Sequence, residues 1–159
     1  FWYPPNQPGL YFSPRVYMKR VREIEFFKNI REIREYDFGV FYFFENLVIS
    51  EINEGVLFNW EMATKAVEAA YEVIGRDNTI AYISNRVNNY SVVPADWRKF
   101  YFNRHQLDLY SVVGQTHGNF ASLVLERMFF RNNIRQFSDL EEAIEWTLSK
   151  MEEQDKIVQ

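Results

Sequence analysis

Two short runs, Gly39 to Phe44 and Leu47 to Ile52, are dense in Phe, Tyr, Val and Ile, and only Glu45-Asn46 separates them. A two-residue gap between strand-forming runs leaves one economical solution, an antiparallel hairpin closed by a tight turn. Asn53-Glu54-Gly55 then turns the chain out of the second strand. The segment before the hairpin, Ile30 to Tyr36, mixes apolar and charged residues and reads as a further strand.

Beyond the hairpin the pattern changes period. Asn59 is an N-cap, and Trp60, Ala63, Thr64, Val67, Ala70, Tyr71 and Ile74 recur at helical spacing up to Gly75, the C′ glycine. Glu61, Lys65, Glu68 and Glu72 form the wet face. Thr79 to Ile83 is a short strand, Pro94 opens a helix to about Arg104 with Asp96 in its first turn, and Leu107 to Val113 is a strand. Asn119 to Phe130 reads as a helix carrying Phe120, Leu123, Val124 and Met128, and Ile134 to Phe137 as a strand. Ser138 and Glu141 form a capping box for a last helix with Leu140, Ala143, Ile144, Thr147, Leu148 and Met151 inward.

A meander followed by alternating helices and strands is an α/β pattern with a mixed, mostly parallel sheet. Right-handed crossovers wound in one direction put about four helices mainly on one face. The chain has 159 residues, enough for one domain. Four of its five prolines fall in residues 1–17, where the only charge is Arg15. Proline excludes regular helix and inner strand, so 1–17 is expected to be an extension outside the fold and 18–159 the single domain, with Met18 a natural start.

The residues Tyr82-Ile83-Ser84-Asn85-Arg86-Val87-Asn88-Asn89-Tyr90-Ser91-Val92-Val93-Pro94-Ala95-Asp96-Trp97, with the lead-in from Phe43 to Gly55, resemble a stretch in small STAS-like proteins of the SpoIIAA-like superfamily found in Bacteroidetes. The resemblance covers about residues 30–152. It implies a (βα)n superhelix and a regulatory or protein-interaction role without catalysis. The wider superfamily includes anti-sigma-factor antagonists, which are phosphorylated on a serine after a central strand. Ser84 lies near that place without the preceding aspartate, and Ser91 follows seven residues later. These two serines are the candidate phosphosites that the resemblance implies.

Several function classes are excluded by what the chain lacks. With no cysteine there is no disulfide scaffold, thiolate nucleophile or Cys-ligated zinc. A net charge of −4 argues against a nucleic-acid partner. No run approaches the ~20 apolar residues of a spanning helix, and no basic segment followed by an apolar stretch opens the sequence, so no cleaved signal peptide, a cytoplasmic protein and no membrane partner are expected. Nucleotide-, zinc- and hydrolase-type motifs are absent. His105 and His117 are the only near-neutral acid–base groups, so no enzyme activity, metal or cofactor is expected.

The candidate recognition site is the loop from Ser84 to Val93, longer than the ~2–6 residues usual for such connections. It offers Ser84, Asn85, Arg86, Asn88, Asn89, Tyr90 and Ser91. The Asn residues also suit a purely structural turn. Gly114-Gln115-Thr116-His117-Gly118-Asn119 opens a helix after a strand, a position that favours anions. If strands 79–83 and 107–113 are neighbours, Arg86 and His117 share the carboxyl rim of the sheet, where ligands gather in α/β folds. Arg86 is then a partly exposed anion partner, and a small anionic or amphipathic, lipid-like ligand is the alternative to a protein partner. Arg86 could instead pair internally with Glu51 or Glu54. Trp97, Phe100, Tyr101 and Phe102 crowd one helix made basic by Arg98, Lys99, Arg104 and His105, which suggests a homodimer or partner surface.

Overall fold

The computed structural model describes residues 17–96, 99, 107–114 and 134–158. It contains a six-stranded sheet built from β1 (Glu32–Tyr36), β2 (Gly39–Phe43), β3 (Leu47–Ile52), β5 (Ile80–Asn85), β7 (Leu107–Val113) and β8 (Ile134–Phe137), in that spatial order. A short second sheet pairs β4 (Leu57–Phe58) with β6 (Ser91–Val92). The long helices among the described residues are α1 (Trp60–Val73) and α2 (Leu140–Val158). β1, β2 and β3 pair antiparallel, and β3, β5, β7 and β8 pair parallel. The fold is therefore α/β with a mixed, mostly parallel sheet, as the alternation of periods predicts.

The hairpin closes where two residues separate the runs. The Phe44 N–H donates to the Leu47 carbonyl at 2.8 Å, and Asn46 takes a left-handed φ of 57°, which Asn tolerates well. Gly39 begins β2 where no side chain fits, because a Cβ there would lie 2.7 Å from the Glu51 carbonyl oxygen.

Alternate residues of the strands feed two cores, one on each face. Phe41, Phe43, Val48, Ile52, Ile80 and Val112 pack with Phe38, Phe58, Tyr90 and α1. Tyr42, Phe44, Leu47, Ile49, Ala81, Ile83, Leu109 and Val113 pack with Val21, Ile24 and α2. Ring contacts among Tyr36, Phe38, Phe41 and Phe58, with centroids 5.1–6.1 Å apart, place much of the aromatic content inside the first core.

The two described helices thus lie on opposite faces, which departs from the expected one-faced stack. α1 lies in the connection from β3 to the parallel β5. α2 follows the last strand, is bound by no crossover, and folds onto the other face. Of the other two expected helices, 119–130 lies outside the described residues, and 94–104 is described only as a 3-10 turn at Pro94–Asp96 and at residue 99.

α1 starts at its predicted cap. Asn59 Oδ1 accepts the Met62 N–H at 2.9 Å, and Gly75 follows the helix at φ 104°. Asp96, expected to serve its own helix, instead accepts the Trp60 N–H at 2.8 Å, so two free donors at the start of α1 are satisfied by side chains. Asn59→Ala is expected to cost ~1 kcal/mol, read as a lower midpoint in urea unfolding. The buried stripe keeps Ala63, Ala70 and Ile74 of the predicted one and differs at Ala69 and Val67. Ala63, Ala69, Ala70 and Ile74 are buried with Met62, Ala66 and Val73 beside them, while Val67 is 39% exposed. Both stripes have helical spacing, but the alanine-rich one lets the backbone approach the phenylalanine layer. α2 is capped one residue later than predicted: Asp139, not Ser138, accepts the Glu142 N–H, at 3.3 Å.

Residues 18–29 form a strap of two 3-10 turns (Val21–Glu23 and Glu25–Asn29) over the hairpin, on the α2 face. Val21 and Ile24 are buried, and Phe26 lies 4.6 Å from Phe44, ring to ring.

Candidate functional site

Because β3, β5, β7 and β8 are parallel, their carboxyl ends share one rim, and β5 and β7 are neighbours as the rim hypothesis requires. The parallel register sets Ser50 beside Ser84. The next residues, Glu51 and Asn85, then point together to the strap side.

Glu51 is 4% exposed and Asn85 1%. Asn85 Nδ2 donates to Glu51 Oε2 at 2.8 Å and to the Lys19 carbonyl at 3.0 Å. The Val21 N–H donates to the same Glu51 oxygen at 3.0 Å. A buried carboxylate needs such donors, and here two of the three bonds tie the strap to the sheet. Asn85 Oδ1 is buried without a partner. Arg22 Nε donates to the Tyr42 hydroxyl at 3.1 Å. The Tyr42 hydroxyl titrates above its ordinary range, chiefly because it is buried, with Glu51 adding to the shift and Arg22 opposing it.

The loop after β5 is closed down on the opposite face. Tyr90 enters the core beside Phe58, with centroids 6.4 Å apart. Its hydroxyl bonds Ser84 Oγ at 2.9 Å. Arg86 is 5% exposed; its Nη2 donates to the Tyr90 carbonyl at 3.0 Å and its guanidinium lies 4.1 Å from the Tyr90 ring centroid. Arg86 is therefore not the partly exposed rim cation expected from the sequence. Tyr90 drops inward, and the guanidinium follows it to hold the loop. Neither Glu51 nor Glu54 takes Arg86: Glu51 is held by Asn85 and the strap, and Glu54 accepts the Asn89 N–H at 2.7 Å.

Asn88 and Asn89 do what turn asparagines do. Asn88 Nδ2 donates to the Ile52 carbonyl at 3.0 Å, and the Asn89 carbonyl accepts the Gly55 N–H at 2.7 Å. Arg20 Nη2 reaches Asn88 Oδ1 at 3.3 Å. β6 then runs beside β4, with Ser91 opposite Leu57.

The predicted site residues thus divide. Ser84, Asn85, Arg86 and Tyr90 are buried and engaged in the interior, and the Ser84 hydroxyl is closed to a kinase in this arrangement. Asn89 and Ser91 are exposed, and Asn88 is half-buried. His117 lies outside the described residues, as does all of its loop except Gly114. Gly114 sits against Arg86, its Cβ position 3.5 Å from the Arg86 Cβ. The aromatic helix residues Trp97, Phe100, Tyr101 and Phe102 also lie outside the described residues. Glu51, named from the sequence only as a possible partner of Arg86, is a lone acid inside the apolar run Leu47 to Ile52, a signal that a buried strand must supply it with donors.

Among the described residues no group of three His, Asp or Glu side chains could hold a metal ion, and no helix is long and apolar enough to cross a membrane. No family model, no curated protein and no solved structure matches this chain.

Proposed function

We propose that this chain is a protein-interaction module of the STAS-like regulatory kind, working by presentation of a surface and not by catalysis. One observation carries the reading. Ser84, Asn85, Arg86 and Tyr90 are turned inward, and the bonds of their loop stiffen a small exposed platform formed by β4 and β6. Leu57 is 57% exposed on it, opposite the exposed Ser91 and next to the loop bearing Asn89. An apolar side chain on a backbone clamped at Gly55, Asn89 and Ser91 loses little entropy on docking, which favours recognition. The anionic-ligand reading loses its anchor with the burial of Arg86.

Leu57→Asp tests the proposal. The substitution is expected to leave thermal unfolding within ~0.5 kcal/mol, since the side chain is largely outside. Affinity capture from the source cells, with quantitative mass spectrometry, should recover a stoichiometric protein with the native chain and lose it with Leu57→Asp. Equal recovery by both chains removes the platform, and recovery of no specific protein by the native chain removes the proposal.

A further inference from the structure

β1 ends the six-stranded sheet, and among the described residues no strand pairs with its outer edge. Such an edge presents unpaired N–H and C=O groups that a further strand can use. Its charges are arranged in an unusual way. The run is Arg31-Glu32-Ile33-Arg34-Glu35. Laid antiparallel against a second copy about a two-fold axis through Ile33, the strand sets Ile33 on Ile33. Glu32 then faces the second copy's Arg34, and Arg31 faces its Glu35. Every charged residue of the run meets its opposite.

Other registers near this one fail. A slip of one residue sets Arg31 opposite Arg34, or Glu32 opposite Glu35. A slip of two sets Glu32 on Glu32, or Arg34 on Arg34. Like charges directly opposite oppose pairing, and unlike charges support it. Charged edges ordinarily keep sheets apart; this one does so in the neighbouring registers and invites its own copy in the central one. Glu32 and Arg34 are already held on one face of the strand, 2.9 Å apart, with Glu72 3.1 Å from Arg34. Pairing therefore joins two such clusters into one alternating network. A two-fold contact of this kind is self-complementary, so every charge pair occurs twice.

We infer that β1 is a homodimer interface, in which the β1 strands of two copies pair antiparallel about Ile33 and join their six-stranded sheets into one. The inference stands apart from the proposed platform, because β1 and β4 are different elements, and a failure of either leaves the other intact. A second copy is the fitting occupant because the run is complementary to itself, so an identical strand meets all of these charges at once.

The test is sedimentation velocity on the full chain across a concentration series, with two charge variants. The native chain should sediment as a dimer. Glu32→Arg puts Arg opposite Arg twice, and Arg34→Glu puts Glu opposite Glu twice. Each alone should weaken dimerisation about tenfold or more. An equimolar mixture of the two should restore the dimer as a heterodimer, since the strands are again complementary. A native chain that stays monomeric, variants that dimerise as well as the native chain, or a mixture that restores nothing would each overturn the inference. If either variant fails to fold, Arg31→Glu and Glu35→Arg pose the same question, both native side chains being exposed.

Discussion

Glu51→Ala is expected to destabilise the protein by about 3 kcal/mol, the first of the two largest effects foreseen. The substitution removes the acceptor of the Val21 N–H and of one Asn85 Nδ2 hydrogen, both buried. A buried donor left without its partner costs ~1–3 kcal/mol, more where the lost partner is charged. Asn85 Nδ2 would keep its bond to the Lys19 carbonyl but lose the one to Glu51. Urea unfolding measures the loss. Trypsin cleavage at Arg20, Arg22 or Lys28 should accelerate as well, because the strap would keep its apolar anchors Val21 and Ile24 but lose its polar clasp. Glu51→Gln, which keeps one carbonyl oxygen, should fall between the native chain and the alanine variant. A loss under ~1 kcal/mol with unchanged proteolysis would mean that the apolar anchors alone hold the strap.

Arg86→Ala should cost a similar ~3 kcal/mol, lowering the melting temperature by roughly 6–12 °C for a domain of this size. A hydrogen bond from a charged donor contributes ~1.5–3 kcal/mol, and a desolvated cation over an aromatic ring up to about 2. The two share one side chain and do not simply add. Arg86→Lys should rescue only part, since an ammonium lacks the planar face that lies over Tyr90. Tyr90→Phe keeps the ring and loses the bond to Ser84, so about 1 kcal/mol is expected. Thermal unfolding of the three variants orders them. A loss within ~0.5 kcal/mol for Arg86→Ala is what a solvent-facing rim residue would give, and it would return Arg86 to the surface site.

These outcomes bear on how far the residues themselves declare the fold. The hairpin, β7, β8 and the start of α1 follow from local chemistry: apolar runs bounded by turn residues, and a capping Asn. β5 extends to Asn85, two residues past its expected end at Ile83, because pairing with β7 continues through Asn85. The strap left no local signature, since 3-10 turns have no regular period and their stability here comes from side chains across the sheet. The loop residues were singled out correctly as unusual, but polarity in a sequence does not say whether a group faces water or a buried partner.

By itself the sequence determined the α/β class and the order of the six strands of the main sheet, because period, turn chemistry and proline placement act over a few residues at a time. Tertiary structure alone decided that α2 covers the second face, that α1 presents its alanines and not Val67, and that Glu51 and Arg86 are interior residues. Each of those depends on which distant strand supplies a donor, a ring or a close approach. A long-range pairing such as Ser50 beside Ser84, which brings Glu51 to Asn85, exists only once the sheet has formed.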